Sequence, residues 1–276
     1  SKSPKATVYQ QIVAEVFKRH YQQGMTHVDF TREELFEIAD ALNLPAPKNM
    51  GDVPYTFRYR GNLPESIRAT APIGKEWLIK SVGRSKYRFV LSDEIKIVPT
   101  PGRTVIKVPD ATPGIITKYA KGDEQALLAI IRYNRLIDIF TGLTCYSLQN
   151  HLRTTVPGVG QVETDELYVG VDKQGAHYII PVQAKGHKDR IGIVQVEQDI
   201  ALCTERYPNL ICRPVAAQFV NTSDSVDESE PTTMVLFAFQ DTDEGITISA
   251  EKRYRLVSPD SISSQELENY RNALDD

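Results

Sequence analysis

The chain has little of what marks several large protein classes. No apolar run approaches the roughly 20 residues that cross a bilayer as a helix. Cysteine is scarce, with only Cys145, Cys203 and Cys212 in 276 residues, and their spacing matches no metal-ligand pattern. An odd, sparse set of this kind fits a reducing cytoplasm better than a disulfide-bonded exterior. Gly-x-Ser-x-Gly, Gly-Lys-Ser/Thr and Cys-x-x-Cys are missing, so serine-hydrolase, P-loop and dithiol chemistry find no support. The opening Ser1-Lys-Ser-Pro-Lys5 has no apolar core behind it. No signal peptide is read there, and the start without Met reads as a processed or cloned one.

Charge is present but unevenly placed. The net value of −4 is unpromising for a nucleic-acid partner. Up to Ser92, however, 14 Lys and Arg stand against 9 Asp and Glu, and from Asn221 onward 4 stand against 13. Nucleic acid responds to local rather than total charge. The amino-terminal third is therefore the expected phosphate-facing part. Hydrophobic residues make up 41% of the chain, enough for the cores of two domains of ordinary size.

The densest chemical signal lies at residues 160–185. Gly160 to Val171 reads as one strand and Tyr178 to Lys185 as the next, with Lys173-Gln-Gly175 as the loop between them. Glu163 and Asp165 are two apart, which in a strand places them on one face, and Gln183 and Lys185 are related in the same way. The run Tyr178-Ile-Ile-Pro-Val182 is apolar on both faces and reads as a buried central strand, so the polar groups that end it need partners. If the strands pair, two carboxylates, an amide oxygen and an ammonium converge. Hard oxygen donors suit Mg²⁺, and a lysine beside them can hold a phosphate or steer a water.

Glu163-Thr-Asp165 and Gln183-Ala-Lys185 resemble the two motifs of the PD-(D/E)xK nuclease superfamily, the fold of many restriction endonucleases. The departure is Gln183, which stands where that family normally has an acid. A glutamine carbonyl can still ligate a hard cation, though without charge. The resemblance implies an α/β fold with an αββαβ core, covering about residues 115–220. The helix, with Asp123 as its cap, would run over 124–140, the strands over 160–171 and 178–185, a second helix over 193–207 and a buried strand over 210–219. It further implies Asp165 as the central metal ligand, assisted by Glu163, Gln183 and, on the preceding helix, Glu124. Lys185 would orient the attacking water. The cofactor would be Mg²⁺, with Mn²⁺ a possible substitute.

Ahead of this core, apolar residues recur at helical spacing over 8–19. Thr31-Arg-Glu-Glu34 forms a capping box before a helix over 35–42, and residues 52–59 read as a third helix. Short strands over 77–81 and 86–91 flank the basic turn Val82-Gly-Arg-Ser85. Helices followed by a hairpin with a basic tip resemble a winged-helix module. The DNA-contacting candidates on that resemblance are Arg58, Arg60, Arg84 and Lys86. The prolines at 99, 101, 109 and 113 read as an extended linker, with a domain boundary near residue 95. The expected domains are thus 1–95, for recognition, and 96–276, for chemistry. Residues 146–153 read as a helical turn or two. An acidic loop after Asn221, a hairpin over 234–257 and a short helix over 264–274 complete the chain.

The functional expectation is a Mg²⁺-dependent endonuclease of the type II restriction kind, acting on double-stranded DNA as a homodimer, in the cytoplasm and with no membrane role. The rival is a non-catalytic DNA-binding protein or transcription regulator with a degenerate nuclease core, and its warrant is Gln183. His151, His177 and His187 lack zinc-site spacing and read as structural or phosphate-facing.

Overall fold

The computed structural model describes residues 7–59, 63–93, 97–119, 124–186, 189–220, 232–242 and 245–273. It is a mixed α/β protein that divides into two compact units. The first comprises Ser1–Lys96, Arg153–Val162 and Gly192–Ala201, and the second Ile97–Leu152, Glu163–Ile191 and Leu202–Asp276.

In the first unit the order is α1 (Val8–His20), β1 (His27–Thr31), α2 (Arg32–Ala41), α3 (Asp52–Tyr59), α4 (Glu65–Arg68), β2 (Lys75–Gly83) and β3 (Lys86–Asp93). Thr7 caps α1 and Thr31 caps α2, each in a reciprocal box with the residue three on, Gln10 and Glu34. The buried stripe of α1 is Ile12, Val13, Val16 and Phe17, at the i, i+1, i+4, i+5 spacing of one helical face. Phe17 meets Tyr21, Trp77 and Phe89 with ring centroids 4.7, 5.1 and 5.0 Å away, which ties the helix to the β2–β3 hairpin. Burying a side chain of this size stabilises the fold by about 1.5–3 kcal/mol. The sheet order is β1-β3-β2, with both pairings antiparallel. The hairpin turns on Arg84 and Ser85, and Ser85 takes a left-handed φ of 58°.

The second unit is built on most of an eight-stranded mixed sheet. Its strands are β4 (Val105–Pro109), β5 (Thr144–Val156), β6 (Gly160–Val171), β7 (His177–Lys185), β8 (Ile211–Cys212), β9 (Val215–Phe219), β10 (Thr233–Thr242) and β11 (Gly245–Val257). They lie in the order β4-β11-β10-β9-β7-β6-β5, with β8 beside β7. The helices are α5 (Gly114–Tyr119), α6 (Glu124–Tyr133), α7 (Leu136–Thr141), α8 (Ile193–Arg206), whose first part belongs to the first unit, and α9 (Ser264–Asn272). One sheet face is covered by α6 and α7. Leu127, Leu128, Ile131, Leu136 and Ile137 pack there against Ile180, Val182, Ala184, Val215, Ala217 and Leu236.

Several elements differ from the sequence expectation. Residues 146–153 are not helical but form the middle of β5, a 13-residue strand at the end of the sheet. The helix expected over 124–140 is broken at Asn134 and Arg135, and Arg135 adopts a left-handed φ of 51° that starts α7 afresh. The strand expected over 210–219 is split at Arg213 and Pro214, since proline cannot donate to the ladder. The proline-rich stretch is no free linker. Residues 105–109 pair in parallel with β11, and the buried Glu251 carboxylate accepts from the Thr100 N–H at 2.8 Å and the Thr100 hydroxyl at 2.7 Å. The short strand β1 lies between two helical patterns and has no signal of its own. The carboxy-terminal hairpin joins the same sheet through β10 on β9.

Candidate functional site

Position in the sheet places the candidate residues. Strand β7 lies between β6, antiparallel, and β9, parallel, and from Ile179 to Lys185 every residue is buried. Such a strand exposes neither face, so the polar side chains at its end must be satisfied by protein. Along β6, Val162, Thr164, Glu166 and Tyr168 are buried, while Glu163 and Asp165 alternate with them as half-buried residues. Alternation thus sets Glu163 and Asp165 on the face opposite Glu166.

Asp165 is the centre of the arrangement. Its Oδ2 accepts the backbone N–H of Ala184 at 2.8 Å. Burial pushes its carboxyl above the usual Asp range. The Ala184 N–H and the Lys185 ammonium work against that rise, Glu124 adds to it, and His151 opposes it. Four groups from four elements therefore meet electrostatically: Glu124 at the start of α6, His151 on β5, Asp165 on β6 and Lys185 at the end of β7. Lys185 Nζ pairs with Glu124 Oε1 at 3.1 Å. Gln183 is buried, and its Nε2 donates to the backbone carbonyl of Glu163 at 3.1 Å, which cross-links the ends of β6 and β7. On the other side of β7, Lys185 stands in register with Gln218 of β9. The Gln218 amide donates to the Asp189 carbonyl at 2.7 Å and so ties Asp189 to β9.

Asp165, Glu124, Gln183 and Lys185 are thus brought together, and Glu163 lies on the Asp165 face of β6 with its backbone carbonyl accepting from Gln183. Arg84 and Lys86 are exposed at the tip of the β2–β3 hairpin in the first unit, and Arg58 is half-buried at the end of α3. Arg60 lies outside the described residues, as do Asp123, expected as the cap of the 124–140 helix, and His187.

Two side chains were not found from sequence. Glu166 is fully buried on the α6 side of β6, where its Oε1 is 2.8 Å from Arg132 Nη2 and accepts the Ser147 hydroxyl at 2.7 Å. Beside this pair, burial, more than the neighbouring Glu166 charge, pushes the Tyr168 hydroxyl well above the ordinary tyrosine range. The available signal was the position of Glu166 next to Asp165, which in a strand demands opposite faces. Gln218 is the other. It sits in the fully buried run of β9, where a polar residue needs a partner. The place of His151 on a strand beside β6 is also new, because residues 146–153 read as a helical turn.

The donor set can be tested against a hard cation. Among the described residues no group of three or more His, Cys, Asp and Glu side chains is gathered for a metal. The donors here are the carboxylates of Asp165, Glu124 and Glu163 and the Gln183 amide. A carboxylate offers about four lone-pair directions, so the bond from Ala184 does not exhaust Asp165. A buried carboxyl with a second one nearby is held ionised best by a positive charge between them. On donor chemistry the residues fit Mg²⁺.

Comparison with protein families, with curated proteins and with solved structures returns no match.

Proposed function

We propose that this chain is a metal-dependent DNA endonuclease with a PD-(D/E)xK-like core, of the type II restriction kind. The observation that carries the reading is the meeting of Asp165, Lys185 and Glu124 around one half-buried carboxyl at adjoining strand ends. The element order supports it: helix α6, the β6–β7 hairpin, helix α8, then β9 parallel to β7. Asp165, Glu163 and Glu124, with the Gln183 amide oxygen, are the residues that would hold Mg²⁺. When bound, the cation lowers the pKa of a water and offsets charge on the phosphate.

The protein residues supply the remainder. The Ala184 N–H fixes the rotamer of Asp165, so the carboxylate is aimed before any ligand arrives. Gln183 locks β6 to β7 at that level. Lys185 exchanges its Glu124 partner for the phosphate and neutralises the charge that grows on its oxygens. Gln218 holds Asp189 against β9.

The first unit supports a winged-helix reading of the DNA-recognition part. Its helices α1 to α3 precede the β2–β3 hairpin, and Arg84 and Lys86 are exposed at the tip. These two side chains would contact phosphates, and Arg58 at the end of α3 would contact phosphate or base. Cutting both strands would require two copies of the site, one per strand, as in a two-fold dimer.

The second reading is a DNA-binding protein without cleavage activity. Gln183 favours it, because its amide is engaged by the Glu163 carbonyl and it adds no charge to the donor set. A cleavage assay on mixed plasmid and phage DNA, with Mg²⁺ and with Mn²⁺, separates the two. The wild-type protein is expected to cut, and Lys185→Ala to lose about 10²–10³-fold in rate while binding DNA as before. A wild-type protein that binds DNA but cuts none of it with either cation leaves only the second reading.

A further inference from the structure

We propose that His151 is a substrate-contacting residue of this site, its ring N–H holding a phosphate oxygen of the DNA strand from the open edge of the sheet. The inference rests on the endonuclease reading and adds a residue that neither motif contains.

Three observations converge on His151. The first is backbone. Within strand β5, His151 adopts a left-handed φ of 47°. Few residues other than glycine do so, and inside a strand the excursion turns the side chain out of the regular alternation. The surroundings agree: residues 146–151 are exposed without a break, and Leu152 beside His151 is buried. The second is location. The β5–β6 hairpin turns at residues 157–159, with Val156 and Gly160 as its flanks. His151 lies five residues before Val156, and Asp165 five after Gly160. The two lie on neighbouring strands, each five residues from the flank of the turn, and His151 is among the groups that act on the Asp165 carboxyl. The third is availability. The ring is exposed, and among the described residues it makes no hydrogen bond to another side chain, whereas Lys185 is already paired with Glu124.

A donor beside a catalytic carboxylate, with no side-chain hydrogen bond among the described residues and on the solvent edge, suits an anionic ligand that approaches from outside. Phosphate is the anion that the rest of the site is equipped for. Imidazole keeps at least one N–H whether neutral or charged, so the contact does not depend on its protonation. The left-handed backbone sets the direction in which the side chain leaves the strand, and such conformations cluster where a ligand is held.

The test compares His151→Gly and His151→Asn with wild type in the full-length protein. Glycine fits the left-handed backbone without strain and removes the ring, while asparagine tolerates that backbone and retains an N–H donor. Two quantities are read: single-turnover cleavage with Mg²⁺, and affinity for a short DNA duplex by fluorescence anisotropy without divalent cation. H151G is expected to lose about 10- to 10²-fold in cleavage, as for one hydrogen bond to a charged group, and to bind the duplex more weakly. H151N is expected to regain most of both. Wild-type cleavage by H151G overturns the proposal, and so does an H151N protein as impaired as H151G. Should the wild type cut nothing with Mg²⁺ or Mn²⁺, the endonuclease reading falls and this inference with it. That result is distinct from an active wild type and an equally active H151G.

Discussion

Ala184 donates its backbone N–H to Asp165 Oδ2 at 2.8 Å, so the residue between Gln183 and Lys185 orients the carboxylate that both flank. The middle position of Gln183-Ala-Lys185 thus acts through its main chain. Its side chain points the other way, into the core under α6.

Asp165→Asn tests the electrostatics of that carboxyl. The folded protein holds it above the ordinary Asp value of 3.8, chiefly through burial. In the pH range between the unfolded and folded values, the unfolded chain has lost this proton and the folded one retains it. Unfolding then releases a proton, so stability falls as pH rises through that range and stays reduced above it. Asparagine removes the effect and still accepts from Ala184. The variant should lose cleavage yet melt higher than wild type at pH 7, with no advantage near pH 3. Each ~1 kcal/mol would appear as about 2–4 °C in a domain of 150–250 residues. Melting curves at the two pH values decide it, and a variant less stable at pH 7 contradicts the account.

Gln183→Glu restores an acid to the second motif but removes the donor that bonds the Glu163 carbonyl. Stability should drop by about 1–3 kcal/mol, since two acceptors then face each other out of water. The Mg²⁺ concentration for half-maximal cleavage should shift as well, because a charged donor joins the set. Denaturant unfolding and a metal titration read the two effects separately. An unchanged metal midpoint would remove Gln183 from the donor set.

Arg132→Ala leaves Glu166 buried without its cation. The expected cost is about 3 kcal/mol, the low end for a broken buried pair, because water reaches the arginine end. The double variant Arg132→Ala with Glu166→Gln should recover part of it. Chemical denaturation of the wild type, the two single variants and the double variant gives the coupling. If the single and double variants are equally stable, the pair does not act as a unit.

Arg84→Ala with Lys86→Ala removes the two exposed charges at the tip of the β2–β3 hairpin. If both neutralise phosphates, DNA affinity should fall and the slope of log K against log salt should decrease in magnitude by about 0.9 for each phosphate left without its cation. An unchanged slope would move recognition to another surface.

The hairpin of β6 and β7 and the polar groups at its end were legible because β7 is buried on both faces, which writes an uninterrupted apolar run into the sequence. Strand β5 was not. Both its faces are largely exposed over residues 146–151, so no alternation marks it, and its polar residues read equally well as a helical turn. The break at Arg135 was hidden for a different reason. Helices α6 and α7 bury the same side against the sheet, so the apolar period runs through the kink, and neither glycine nor proline announces it. The pairing of residues 105–109 with β11 spans more than a hundred positions, and nothing local encodes it. Within the site, residue types and spacing pointed to Asp165, Gln183 and Lys185. The role of Ala184 is carried by main chain and left no trace in side-chain chemistry.

The left-handed residue in β5 also bears on how the molecule behaves in a crowd. Strand β5 ends the sheet, is 13 residues long, and displays Tyr146 and Leu148 to solvent. A straight strand with those properties is a template on which another chain can add, the first step toward amorphous or fibrillar deposits. The kink at His151 interrupts the flat row of main-chain donors and acceptors near its middle, so a visiting strand finds only short stretches to pair with. The same backbone excursion thereby shortens the stretch of edge on which a foreign strand could add.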